Sequence, residues 1–471
     1  MKALMGNKSI LFAGSFLLLC LGYIGFGYYL DRSQTNLLLL SYTGLWLLSW
    51  PWLRIERSER SGLNHSPFSW GKVLIAGLIL RVLLLFSWPN LSQDVYRFLW
   101  DGALFAQGIS PYHFTPVSLI NQLEVLSLNI PDAAQLFKKM GALSAGNYSN
   151  YPPVKQLIFA LPHWLGIEPL LHRISALRLF IILADTGVFF LGRQLLKKQS
   201  LNPNYIKWYF LNPLIILEIT GNCHFEGFMA LSILASIVLA LNHRYFLSGI
   251  LLAIGVGVKL IPLMFIPIIL AHFASQTKQS QSLNSIIKYG LGLALGLALI
   301  FLPFLNAETL GHYWDTTGLW FTKFEFNASV YYVLRWIGFQ WKGYNLIAQI
   351  GPALSLITTT SILYLSYRVW LNKSHLYQAM FWSILIYLVF ATTVHPWYWT
   401  TVLILSILAQ SRIGLVGSML IFLSYTAYES SIVAEKSLWI SIEYLLLIAY
   451  VLWELKNPTH DKSQFAKTSS S

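Results

Sequence analysis

Apolar runs long enough to cross a bilayer recur from one end of this chain to the other, and nothing else limits its folding choices so strongly. The stretches 10–30, 37–53, 73–88, 174–192, 205–219, 224–241, 245–271, 286–306, 345–370, 376–393, 397–410, 413–428 and 436–455 read as candidate spans. A helix needs roughly 17–25 apolar residues to cross a hydrocarbon core of about 30 Å. Inside lipid each backbone N–H and C=O must find its partner within the protein, so such runs become helices. The reading is an all-α polytopic membrane protein, a bundle of about 11–14 transmembrane helices with outer-face loops and interfacial helices.

Charge agrees with that class. Only 11% of the residues are charged, against about 25% in a typical soluble chain. Lys and Arg number 32 and Asp and Glu 19. In a soluble protein this excess would point to nucleic acid. Here it sits mostly in short loops, where the positive-inside rule accounts for it, and no nucleic-acid partner is expected. The two cysteines, Cys20 and Cys223, lie in or beside apolar runs and imply neither a disulfide framework nor a zinc cluster.

Basic residues also set the orientation. Arg54, Arg57, Arg60 and Lys72 mark 54–72 as cytoplasmic, so 73–88 leads outward and 89–150 is the first large extracytoplasmic loop. Within it, 94–107 has helical apolar spacing (Val95, Phe98, Leu99, Leu104, Phe105), which predicts a short interfacial helix. Positive clusters place 193–207, 242–244, 272–288, 368–373 and 456–462 inside, and 307–328 is the second outer loop. A full span over 152–166 would put the basic 193–207 segment outside, so 152–170 is expected to be a short, proline-started hairpin or surface helix. The run 245–271, interrupted by Gly255, Gly257 and Pro262, is expected to form two half-helices. Residues 1–455 read as one transmembrane domain and 456–471 as a polar cytoplasmic tail.

Six short motifs carry chemistry. In "QDVYRFLWDG", Asp94 and Asp101 lie seven apart, on one helix face about two turns from each other. They are either solvated interfacial residues, with Arg97 pairing at i+3, or carboxylates half-buried among Trp88, Tyr96 and Trp100. Desolvation raises a carboxyl pKa and suits a general base. In "NYSNYPPVKQLIFALP", the prolines are ordinary helix starters. Tyr151 precedes them, and Lys155, one turn in, is placed to meet a lipid phosphate. "LNPLIILEITGNCHFEGFMALSILA" sets Glu218 in one apolar run and His224 and Glu226 at the start of the next. Ionisable groups in spans are costly and usually functional. His224 and Glu226 also fit a helix N-terminus or a loose metal-ligand pair. Lys259, between the half-runs of "GVGVKLIPLMFIPIIL", either snorkels or contacts phosphate. "TGLWFTKFEFNASVYYVLRW" mixes aromatics with Lys323, Glu325, Asn327 and Arg335, an aromatic belt or a surface for a sugar ring. "TTVHPWYWTTVLIL" places His395 and Trp397 at a proline break. In the orientation above, these motifs gather at one membrane face. No P-loop, glycine-rich nucleotide fingerprint, nucleophile elbow or CxxC occurs, so an activated substrate must drive any transfer.

Taken in order, "QDVYRFLWDG…GISPYHFTP", "YPP", "LNPLIILE…GNCHFEG", "VKLIPL", "FEFNASVYY" and "VHPWY" resemble the GT-C superfamily of integral-membrane glycosyltransferases, over about residues 85–400. Within it they are most similar to bacterial mannosyltransferase-like enzymes that use polyprenyl-phosphate sugars. The resemblance implies inverting transfer of a hexose, mannose by association, from a polyprenyl-phosphate donor to a glycan, lipid or protein acceptor. It implies an active site on the extracytoplasmic face of a bacterial inner membrane, in contact with membrane lipid. Asp94 matches the catalytic base of the first outer loop. Lys155, Lys259 or Arg335 would meet the leaving phosphate. Asp101, Arg97, Tyr151, His224, Glu226, Asn327, His395 and Trp397 would bind or orient substrate. Many members carry two acids in adjacent or alternate positions, whereas "VYRFLW" separates them here. That leaves the role of Asp101 open, and with it any divalent cation. A flippase or transporter of lipid-linked sugars is the alternative; it predicts ionisable groups near the midplane and repeated halves, and no repeat is visible.

Overall fold

The computed structural model describes residues 2–54, 56–57, 64–65, 69–275, 279–430 and 433–457. The chain is built from helices, with one two-residue antiparallel ladder, Glu56–Arg57 against Asn64–His65. Helices α1 (Lys2–Tyr29) and α2 (Thr35–Leu53) pack as a hairpin. They are followed by α3 (Trp70–Val82), α4 (Asp94–Ala106), the single turn α5 (Pro116–Leu119), α6 (Ala133–Ala145) and α7 (Pro153–Trp164). Next come α8 (Leu170–Lys198), α9 (Lys207–Phe210), a π-helical segment at Ile215–Gly221, α10 (Glu226–Leu241), α11 (Tyr245–Val258), α12 (Ile266–Ala274) and α13 (Gln279–Phe301). The last third holds α14 (Ala307–Thr322), α15 (Val330–Lys342), α16 (Ile347–Trp370), α17 (Leu376–Phe390), α18 (Trp399–Leu408), α19 (Ile413–Leu420) and α20 (Ser437–Lys456).

Among the described residues five helical stretches are long and apolar enough to cross a membrane: Phe12–Tyr29, Leu170–Lys198, Ser282–Phe304, Ile347–Trp370 and Ser437–Lys456. A sixth span arises if Ile215–Gly221 and Glu226–Leu241, bent by 106°, are counted together, and five further apolar helices are shorter. The protein is a polytopic all-α membrane protein, but many of the expected 11–14 spans are broken or short. Composition sets the breaks. The 245–271 run divides at Lys259, whose extended backbone (φ −158°, ψ 141°) separates α11 from the turn leading to α12. The expected span 73–88 stops at Val82, and residues 83–87 turn instead. Helix α7 has 12 residues, a rise of about 18 Å, so it falls short of a bilayer and lies along α4, as the charge argument required. The 307–328 loop is itself mostly helix, as α14. Most of the polar tail, 458–471, lies outside the described residues, as does much of the basic segment 54–72.

Close backbone contact fixes the parts that carry the site. Gly102 faces the Phe159 carbonyl so tightly that a Cβ would overlap it, which lets α4 and α7 touch along their backbones. Phe98 and Phe159 stack across the same seam with ring centroids 4.3 Å apart. Buried charge is matched: Arg81 of α3 meets Asp185 of α8 at 3.0 Å, and the Tyr209 hydroxyl donates to the same carboxylate at 2.8 Å. Such a cluster satisfies polar groups that lipid cannot.

Candidate active site

A cavity of about 950 Å³ is bounded by the ends and breaks of helices. The start of α4 contributes Asp94 and Arg97, and the start of α7 is marked by Tyr151 and Lys155. The α10 and α11 breaks supply His224, Glu226 and Lys259, and the α17–α18 break supplies His395, Trp397 and Tyr398. Nine of the sequence-predicted residues therefore line one chamber. Asp101, Asn327 and Arg335 do not.

Asp94 is the first residue of α4, and its carboxylate remains 37% exposed, opening into the chamber. Its nearest charged neighbour is His224, with Nε2 3.9 Å from Oδ2. Enclosure by protein pushes the Asp94 pKa up, against the opposing pull of His224 and Lys155. His224 is held from behind. Its Nδ1 sits 3.0 Å from the Glu218 carbonyl, the geometry of an Nδ1–H donor. Its Nε2, without a hydrogen-bond partner among the described residues, then points toward Asp94. One face of the imidazole stacks on Trp397 at 3.8 Å, Trp397 stacks on His395 at 4.5 Å, and His395 stacks on Phe326 at 4.9 Å. The column is pinned at its far end, where the Phe326 amide donates to the Thr392 carbonyl and the Val394 amide donates to Phe326. Burial, with help from the charges of Lys259 and His224, lowers the His395 pKa to about 3, so this ring acts as a neutral plate.

Two cations face the chamber beside the acids. Lys259 Nζ meets Glu226 Oε1 at 2.7 Å and lies 3.7 Å from the Tyr398 ring centroid. Lys155 has no carboxylate within 4 Å among the described residues; it lies over Tyr151 at 5.1 Å and Phe98 at 5.8 Å. Burial lowers its pKa to about 8, opposed by Glu226. Beyond Lys259 the wall becomes apolar: Ile261, Leu263, Met264 and Pro267 face Ile362 and Leu363 of α16. Leu263 and Leu363 keep 39% and 54% of their surface accessible. The chamber thus has a charged aromatic end and an apolar end.

Asp101 lies two turns along α4 from Asp94 and is wholly buried. Arg97 Nε donates to it at 2.6 Å, Ser149 Oγ at 2.6 Å and Gln156 Nε2 at 3.5 Å. Arg97 also donates to the Ser144 and Asn147 carbonyls, so Asp101 anchors the outer loop to α4 through Arg97. Asn327, in a left-handed conformation (φ 46°), is bound by Glu435, Glu443 and Tyr444. Arg335 pairs with Glu325. Among the described residues no group of three or more His, Cys, Asp or Glu side chains is arranged to hold a metal ion.

Sequence reading missed Arg32 and Tyr428, which line the same chamber with the guanidinium 4.6 Å from the ring centroid. It also missed Tyr148, which faces the chamber and stacks on His312 of α14 at 3.7 Å. Only the polar turn "DRSQ" between the first two apolar runs marks Arg32 locally, and nothing there announces its partner.

Fold and chamber together define a polytopic all-α membrane protein with one large chamber lined by acids, lysines and stacked aromatics. Comparison with known proteins narrows this: the family model described as "Alpha-(1->6)-mannopyranosyltransferase, N-terminal domain" matches residues 24–275, and the chain belongs to that family. It is 21% identical over 411 residues to Alpha-(1->6)-mannopyranosyltransferase A of Mycobacterium tuberculosis, covering 83% of this chain and 74% of the relative. With the protein of the same name from Corynebacterium glutamicum it shares 26% identity over 282 residues, 57% of this chain and 54% of the relative. A probable alpha-(1->6)-mannopyranosyltransferase of Mycolicibacterium smegmatis is 23% identical over 220 residues, covering 45% of this chain and 36% of the relative. The family match contains Asp94, Lys155, His224, Glu226 and Lys259.

Proposed function

We propose that this protein transfers a mannosyl group from a polyprenyl-phosphate donor to an acceptor hydroxyl, with inversion at the anomeric carbon and Asp94 as general base. The observation that carries the reading is the two-part chamber: Asp94 and His224 at one end, Lys155 and Lys259 beside them, and an apolar wall of Ile261, Leu263, Met264, Pro267, Ile362 and Leu363 beyond. A lipid-linked sugar has this polarity sequence, with hydroxyls first, then phosphate, then hydrocarbon. The relatives' names supply the sugar.

The acceptor oxygen attacks C1 of the donor sugar while Asp94 takes its proton. The C1–O bond to phosphate breaks on the opposite face, and its electron pair leaves with polyprenyl phosphate. Lys155 and Lys259 meet the charge that develops there, in a setting where fixed cations act strongly. His224 sits beside Asp94 and favours its ionised form. Tyr151, Arg97 and the Trp397–His395 stack give the sugar hydrogen-bonding groups and flat apolar faces. The site works on the extracytoplasmic face of the inner membrane.

The test uses purified protein in detergent, a panel of radiolabelled polyprenyl-phosphate sugars and membrane extract as acceptor source. Release of polyprenyl phosphate from the mannose donor is expected, and only with acceptor present. Absence of turnover with every donor, together with movement of the intact lipid across proteoliposomes, would overturn the reading.

A further inference from the structure

Asp94 and His224 belong to different segments, and no side-chain hydrogen bond joins them: their closest ring-to-carboxylate approach is 3.9 Å. Something else must set that spacing. The segment leading to Asp94 leaves α3 at Val82 and turns through Leu85 and Ser87. The segment leading to His224 leaves the π-helical turn at Gly221 and passes Cys223 in a left-handed conformation (φ 59°). Both present the unsatisfied carbonyls of a helix end, which inside a membrane protein need donors.

One side chain serves both. Arg178, in the middle of α8 and wholly buried, donates from Nη1 to the Leu85 carbonyl at 2.9 Å and to the Ser87 carbonyl. From Nε it donates to the Thr220 carbonyl at 3.0 Å, and from Nη2 to the Gly221 carbonyl. No carboxylate among the described residues lies within 4 Å of it; its guanidinium meets four carbonyl dipoles, two from each segment, and the Cys223 side chain beside them. A second tie runs alongside, from the Leu91 amide to Asn222 Oδ1 at 2.8 Å.

We propose that Arg178 is a positioning residue that sets the distance between Asp94 and His224 by clamping the two segments that carry them. A planar fork with fixed N–H directions fixes both segments in register; a lysine ammonium cannot reach four carbonyls in one plane. The inference rests on the reading of Asp94 as the base, because its consequence for rate passes through the Asp94–His224 pair. A misplacement near 1 Å at such a pair costs roughly 100-fold in rate.

The test compares wild type, Arg178→Lys, His224→Gln and the double variant, purified in detergent, by donor KM, kcat and the pH profile of kcat. Arg178→Lys is expected to lower kcat roughly 10–100-fold with donor KM nearly unchanged, and to move the acid limb of the profile. In the His224→Gln background it should cost nothing further, since the geometry it protects is gone. Amide hydrogen exchange should rise together in 83–93 and 219–225. Wild-type kcat in Arg178→Lys, or losses that multiply in the double variant, would overturn the proposal. If Arg178→Lys does not fold, Arg178→Gln, whose short amide cannot span both segments, should give the same loss in kcat at unchanged KM; wild-type kcat there overturns it. An inactive wild type sinks the transferase reading instead, and unchanged exchange in both segments then sinks the clamp.

Discussion

Replacing Asp94 by asparagine keeps the shape of the chamber and removes only the proton acceptor. The carboxylate is partly open, and the nearest basic side chain, His224, stands 3.9 Å away. An open, loosely paired charge contributes about 0–1 kcal/mol to stability, so Asp94→Asn should melt close to wild type. Loss of a general base costs typically 10²–10⁴ in rate, which is about 2.7–5.4 kcal/mol of barrier. Asp101→Asn is the contrasting control. It removes the charge opposite a buried Arg97, and breaking a buried pair costs about 3–5 kcal/mol. That variant should lose thermal stability first and activity only as the outer loop loosens. The assay is donor turnover beside thermal unfolding for both proteins in one detergent. If Asp94→Asn keeps turnover within tenfold of wild type, Asp94 is not the base. If Asp101→Asn is as stable as wild type but inactive, the two roles have been assigned the wrong way round.

Three further outcomes follow from the same geometry. Asp94 must be ionised to accept a proton, and its pKa is raised, so the acid limb of kcat should lie above the range of an ordinary aspartate. Lys155 must be charged to meet phosphate, so activity should fall again as pH passes about 8, a limb that Lys155→Met abolishes at the expense of overall rate. Leu263→Trp or Leu363→Trp should crowd the apolar end of the chamber and raise KM for a long-chain donor several-fold, about in line with a methylene-scale loss of fit, while sparing a donor with a truncated chain. Gly102→Ala drives a methyl group into the Phe159 carbonyl and should lower thermal stability by about 1–3 kcal/mol, read as a lower midpoint of unfolding.

The elements closest to the chemistry were legible because they interrupt a simple pattern. Helical spacing at Val95, Phe98 and Leu99 announces α4, and Gly255, Gly257 and Pro262 announce the break that exposes Lys259. The grouping of Asp94, Lys155, His224, Glu226, Lys259 and His395 could be read from orientation alone, since positive loops fix which ends of the spans share a face. The different surroundings of Asp94 and Asp101 could not. Both satisfy the same i, i+7 pattern, yet a rise of about 10 Å carries Asp101 from the chamber wall to a place beneath α7 and the outer loop. Arg178 and Arg32 were invisible for another reason. Arg178 looks like one more arginine in a long helix, and its partners are main-chain carbonyls, which leave no trace in residue identity. Arg32 gains its meaning only from Tyr428, at the other end of the chain. The breaks within spans were less legible, because hydropathy alone does not tell an unbroken helix from a short or bent one.

The apolar end of the chamber, suited to a hydrocarbon chain, changes what substrate concentration means for this protein. A donor dissolved in lipid is met in two dimensions, and the quantity that governs occupancy is its mole fraction in the surrounding amphiphile, not its amount per litre. Adding inert lipid or detergent at fixed bulk donor should slow the reaction, while concentrating the whole suspension should leave specific activity nearly unchanged. A soluble acceptor would follow the opposite rule. Surface-dilution kinetics therefore separates the two substrates by their route to the same chamber.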